Sequence, residues 1–270
     1  LYAAISNLER VLVFARVSRT GLPVFVPVGP VLNEQTVVIA TQRYAHLALL
    51  SSSIHYFWWT IKANSTMRAD SRYTPSGGFE TFAQPRLTER MEKAGRDLEL
   101  TRQNLMQRDK VGLTELYNRV FDSRIEESEI ARLRQIHVEV DEAVRESYAL
   151  EEERDPGILE FEARVASEPL PSWREIEFSH DFYETPQGRR FTISPQARND
   201  VLDKLLVLNH YRYQQEVSRG LHSGNAGRKG AKAAKRQPKK VDAGPGTGAD
   251  AADSGDGALD ELFAPPGALF

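Results

Sequence analysis

Apolar residues are distributed along this chain in two different rhythms. Val11-Leu12-Val13-Phe14-Ala15-Arg16-Val17 is β-branched and aromatic with no breaker, and reads as a strand. The Thr20-Gly21-Leu22-Pro23 segment is a turn signal. Val24-Phe25-Val26-Pro27-Val28 reads as a second strand, whose Pro27 has no N–H to donate and so belongs at an edge or a bulge. After Gly29-Pro30, Thr36-Val37-Val38-Ile39-Ala40 reads as a third strand. Together the three predict an antiparallel meander.

The rhythm then turns helical. Leu47, Leu50, Ile54, Phe57, Trp58 and Ile61 recur at helical spacing over residues 43–62 and predict a helix buried against the sheet. The polar His46, Ser51, Ser52, Ser53 and His55 within it argue against a membrane span. Residues 64–85 lose periodicity and read as an ordered loop. Residues 86–109 predict a charged helix, residues 113–120 a short one, and residues 128–148 a strongly amphipathic one through Ile130, Leu133, Ile136, Val140 and Val144. Two long helices around a short one predict a helical hairpin. Residues 151–193 are acidic and Pro-rich, with few regular signals. Ser194 and Pro195 are an N-cap and a first-turn proline for a last helix, which Gly220 ends. From Ser223 onward the Gly, Ala, Lys, Pro and Asp composition predicts disorder.

The expected fold class is therefore α+β. A small antiparallel β subdomain with a buried helix spans residues 1–85. A helical region follows over 86–150, then a Pro-rich acidic connector and C-terminal helix over 151–222, and a tail over 223–270. The chain opens at Leu1 in the middle of a pattern and reads as a fragment, with no signal peptide. It contains no cysteine, which excludes disulfides, thiolate metal sites and a thiol nucleophile and suits a cytoplasmic protein.

The net charge of −3 hides an asymmetry: residues 1–110 carry 14 basic and 9 acidic side chains, whereas residues 111–222 carry 14 and 23. A polyanion would meet the first part and be repelled by the second. The candidate nucleic-acid contacts follow that division. They are Arg16 and Arg19 at the end of the first strand, and Lys62, Arg68, Arg72 and Tyr73 in the loop after the buried helix. Of the adjacent Trp58 and Trp59, one is expected in the core with the other leaning outward.

Catalytic signals are missing. No Gly-rich turn follows a strand, no Asn/Asp-Pro-Pro-Tyr/Phe run is present, and the six histidines show no metal-ligand spacing. No catalytic, metal or cofactor-binding residue is assigned.

Several stretches carry a resemblance. They are Arg16-Val17-Ser18, Glu34 to Ala40, Leu50 to Trp58 and Arg72-Tyr73-Thr74-Pro75-Ser76, with Phe79-Glu80-Thr81-Phe82 and Pro85. In that order they resemble the target-recognition region of MmeI-like (type IIG/IIL) restriction-modification DNA adenine methyltransferases. Gly112 to Arg119, Ile130 to Tyr148, Asp181 to Thr185 and Arg190 to Ser194 are similar to the segments that follow it in the same family. Ala83-Gln84 stand where Pro-Phe is usual there. The resemblance implies a DNA-reading fragment of a site-specific adenine-N6 methyltransferase. Its partners would be double-stranded DNA and a methyltransferase domain in cis or in trans, with no membrane. S-adenosylmethionine is implied for the full-length enzyme, not for this chain. The alternatives are a stand-alone DNA specificity subunit acting in trans, a helical interaction protein with no DNA role, and a non-functional remnant.

Overall fold

The computed structural model describes residues 2–30, 32–62 and 71–221. They divide into two compact units, Leu1–Asn209 and His210–Phe270. The first holds the sheet and nearly all the helices. The second is described through residue 221, as the end of one helix and its terminating turn.

The expected α+β class is the observed one. After a short helix α1 (Tyr2–Ile5), β1 (Arg10–Ala15) becomes the centre of a three-stranded antiparallel sheet in the order β3-β1-β4, flanked by β3 (Val24–Pro27) and β4 (Thr36–Ile39). A meander would have put β3 in the middle. Pro27 lacks the donor a central strand needs, and β3 is only half-buried, so β3 lies at an edge as its proline demands. Val11 to Phe14 are buried in succession because both faces of β1 are covered. Val11 and Val13 pack with Ile5 and Leu8. On the other face Phe14 stacks on Tyr73, with ring centroids 4.3 Å apart.

The buried helix is interrupted. α2 (Tyr44–Ser51) stops at Ser52, whose extended backbone lets its hydroxyl accept from His55 N–H at 3.2 Å and cap α3 (Ser53–Phe57). Ser53 N–H donates to Asp141 Oδ1 at 2.7 Å, so a carboxylate from another helix fixes the break. A π-helical turn, Trp58–Lys62, follows. Both tryptophans are buried, contrary to the expectation that one leans outward. Trp58 Nε1 donates to Thr81 and Trp59 Nε1 to the Arg72 carbonyl, so each indole enters the core with its N–H satisfied.

α4 (Glu89–Asp109) and α6 (Ser128–Arg154) form the expected antiparallel hairpin around α5 (Leu113–Val120). Arg90 meets Glu146 at one end and Arg108 meets Glu129 at the other. These pairs are exposed and contribute at most about 1 kcal/mol each. α4 also packs on α2: Glu92 accepts from the N–H groups of Tyr44 and Ala45, at 3.1 and 2.8 Å, which caps α2 from a neighbouring helix.

Residues 151–193 hold more structure than their composition suggests. α7 (Pro156–Val165) is capped by Asp155, and β6 (Asp181–Thr185) pairs with β7 (Gly188–Thr192) across a two-residue turn. α8 (Pro195–Ser218) starts where Ser194 Oγ accepts from Ala197 N–H, and Gly220 follows it at φ 75°. The tail from residue 222 lies outside the described residues.

Two buried histidines couple the fold to pH. His55 donates from Nδ1 to the Leu50 carbonyl and accepts at Nε2 from the Tyr73 hydroxyl, 3.1 Å away. His137 meets the Tyr117 hydroxyl at 2.7 Å. Burial pushes His55 down to about 4 and His137 down to about 3, so both fold as neutral imidazoles. Unfolded, each titrates near 6.5. Their contribution is complete above that value and declines as pH falls through 6.5 toward 4. Urea denaturation between pH 7.5 and 5 should show stability falling on the acid side, each histidine adding a limiting slope of about 1.4 kcal/mol per pH unit. A flat profile would sink the assignment.

Candidate nucleic-acid interface

Beyond β1 the chain leaves the main sheet. Val17–Ser18, strand β2, pairs antiparallel with Ser71–Arg72, strand β5, with Val17 opposite Arg72. Directly opposed residues share a face of a ribbon. That face is the outer one: Val17 is 52% exposed and Arg72 is exposed, whereas the next residue inward, Tyr73, is 0% exposed. Arg16 is half-buried, and its Nε is buried with no hydrogen-bond partner among the described residues.

The turn after β2 is fixed by its own side chains. Ser18 Oγ accepts from the N–H groups of Thr20 and Gly21, at 3.2 and 3.1 Å. Gly21 has φ +60°, and a Cβ there would lie 2.1 Å from the Trp59 ring, so only glycine fits. Arg19 stands exposed on this turn.

Arg190 of β7 reaches the same turn across 170 residues, donating from Nη1 to the Thr20 carbonyl at 2.9 Å. Its guanidinium lies between two rings, 3.8 Å from the Tyr56 centroid and 4.5 Å from that of Phe121. Burial lowers its pKa. The result is a cleft of about 610 Å³ with three walls. Arg19 and Thr20 form one. Thr114 and Asn118 of α5, with residues 121–124, form the second. Thr185, Gln187, Gly188 and Arg189 of the β6–β7 turn form the third. Tyr56 Oη donates to Gln187 at 2.8 Å and ties the floor to the third wall. The carboxylate lining the cleft, Asp122, is engaged by Arg124 through both oxygens, which hold it down at about 2. The second wall is held from behind by Arg134, which donates to the carbonyls of Arg119, Val120, Asp122 and Ile125.

The structure thus separates the six residues singled out from sequence. Arg72 lies on the ribbon's outer face, Arg16 lies beside it, and Arg19 lies in the cleft. Lys62 is exposed at the end of the π-helical turn. Arg68 lies outside the described residues. Tyr73 must be corrected: its ring is wholly buried against Phe14, His55 and Trp59, and its hydroxyl is bound to His55, so its side chain meets no external ligand. Arg124, Arg189 and Arg190 come from the acidic half and join Arg19 at the cleft. Pairing of β6 with β7 and packing of Arg190 against Tyr56 bring Arg189 and Arg190 there, and the α5–α6 loop brings Arg124.

Among the described residues no group of three or more His, Asp or Glu side chains is placed to hold a metal ion, and no helix is long and apolar enough to cross a membrane. Among the described residues every strand pairing is antiparallel, with no parallel strand–helix–strand unit.

No family model matches the chain, and no curated protein matches it. A solved structure that is similar in part is that of the type IIL restriction-modification enzyme MmeI in complex with DNA. The identity is 22% and the TM-score 0.41, over 52% of this chain and 18% of that one. The match thus spans less than a fifth of that chain's length.

Proposed function

We propose that this chain is the DNA-reading, non-catalytic part of a site-specific adenine-N6 DNA methyltransferase of a restriction-modification system. Methyl transfer with S-adenosylmethionine would belong to a separate domain, in cis or in trans.

The observation that carries this reading is the β2–β5 ribbon. Arg16-Val17-Ser18 and Arg72-Tyr73 are distant in sequence, and both resemble parts of a target-recognition region. In the fold they are hydrogen-bonded neighbours with Val17 and Arg72 side by side on the solvent face. A two-stranded ribbon fits the DNA major groove, where a guanidinium can pair with guanine and an apolar group can meet the thymine methyl.

Selection of bound duplexes from a random-sequence pool supplies the test. The parent chain should enrich one short site. Arg72→Ala should lose discrimination at one base pair, by about 1–3 kcal/mol or roughly 5- to 150-fold. No enrichment by the parent, or an unchanged motif in the variant, would refute the ribbon's role.

A further inference from the structure

Arginine pairing in this protein is uneven. Arg90, Arg102, Arg108, Arg119, Arg124, Arg132, Arg145 and Arg174 each have a carboxylate oxygen within 4 Å. At the cleft, Arg19, Arg189 and Arg190 have no such ion pair among the described residues, although the last two come from the part of the chain richest in acid. Arg190 is 7% exposed. Charges taken out of water are normally paired, and a buried cation set against two ring faces and a carbonyl, with no carboxylate in direct contact among the described residues, leaves room for an anion beside it.

We infer that the cleft between the 18–20 turn, α5 and the β6–β7 turn is a phosphate site, which grips the sugar–phosphate backbone of DNA while the neighbouring ribbon reads bases. This rests on the functional reading above and adds a second contact with a different task. A phosphoryl group fits because the walls offer donors on three sides: Arg19, Arg189 and the amide of Asn118. The acid lining the cleft, Asp122, already has both oxygens bound by Arg124. A base does not fit. The floor rings, Tyr56 and Phe121, already sandwich Arg190 and offer it no stacking platform between them. Backbone contacts of this kind fix the register of a protein on the duplex and carry no sequence information.

Arg19 and Arg189 are both exposed, so replacing them leaves the core untouched. The experiment measures dissociation constants of the full chain and of its Arg19→Gln/Arg189→Gln variant by fluorescence anisotropy. It uses the selected duplex and a scrambled one between 50 and 300 mM salt. A lost phosphate contact should flatten the slope of log affinity against log salt by about 0.9, so the double variant, which strips both cations from the one site, should lose about that much. Affinity should fall by the same factor on both duplexes, whereas Arg72→Ala should change their ratio. A variant with the parent's slope, or one that loses only discrimination, overturns the phosphate assignment and leaves the reading by the ribbon intact. A parent chain that binds no duplex at low salt overturns both. A thermal-shift arm with a free mononucleotide separates the sources of phosphate. Protection by the mononucleotide without duplex binding assigns the cleft to a small ligand and likewise overturns the backbone role.

Discussion

Lys204→Met should destabilise the fold by about 3–5 kcal/mol at neutral pH, measured by urea denaturation. Lys204 is 2% exposed on α8, and its ammonium meets Glu152 of α6 and, at 2.7 Å, Glu162 of α7. Both carboxylates are also buried, and burial raises the pKa of Glu162. Removing the cation leaves two like charges in a dry site. Restoring apolar balance is a different operation from breaking the pair. Lys204→Met combined with Glu152→Gln and Glu162→Gln should recover most of the loss, because Gln at 152 still offers an acceptor to Trp173 N–H. The single variant should also recover relative to the parent as pH falls and Glu162 protonates. A single variant within 1 kcal/mol of the parent would show that the triad contributes nothing.

The second large effect is expected at Gly95. In an exposed helix interior, Gly→Ala gains about 1 kcal/mol. Here a Cβ would sit 2.0 Å from the Tyr44 carbonyl oxygen and 2.7 Å from its carbon. Backbone cannot rotate aside as a side chain can, so α4 must move off α2. Glu92, one turn earlier on the same face, would then lose its two bonds to the start of α2. Gly95→Ala should therefore cost roughly 2–3 kcal/mol net, which for a chain of this size lowers Tm by about 4–12 °C. An unchanged or higher Tm in calorimetry would refute the close crossing.

The sequence was most legible where one local signal governed the outcome. Pro27 marked an edge strand, the apolar stripe of residues 128–148 marked α6, and Ser194-Pro195 marked the start of α8. It was least legible where a distant group decided. The helix over 43–62 breaks because Ser52 turns inward to cap and Asp141 waits opposite Ser53. Tyr73 carries a polar tip that suggests a surface role, yet His55 supplies that tip with a partner inside. α7 did have a readable signal in Asp155-Pro156, an N-cap followed by a first-turn proline, which the acidic composition around it obscured. The candidate site divides in the same way. Arg19 stood out at the end of the first strand and Arg72 in the loop after the buried helix, whereas Arg189 and Arg190 became visible only when β7 brought them to the cleft, with Arg190 donating to Thr20.

Arg134 has a consequence for how quickly and how tightly such a cleft can act. Its guanidinium spans four carbonyls along residues 119–125, a stretch that is mostly loop. That wall is already ordered before anything binds, so occupancy costs little further loss of backbone freedom. Association there should behave as docking onto a finished surface, with its rate set by diffusion and ionic attraction rather than by a preceding loop rearrangement.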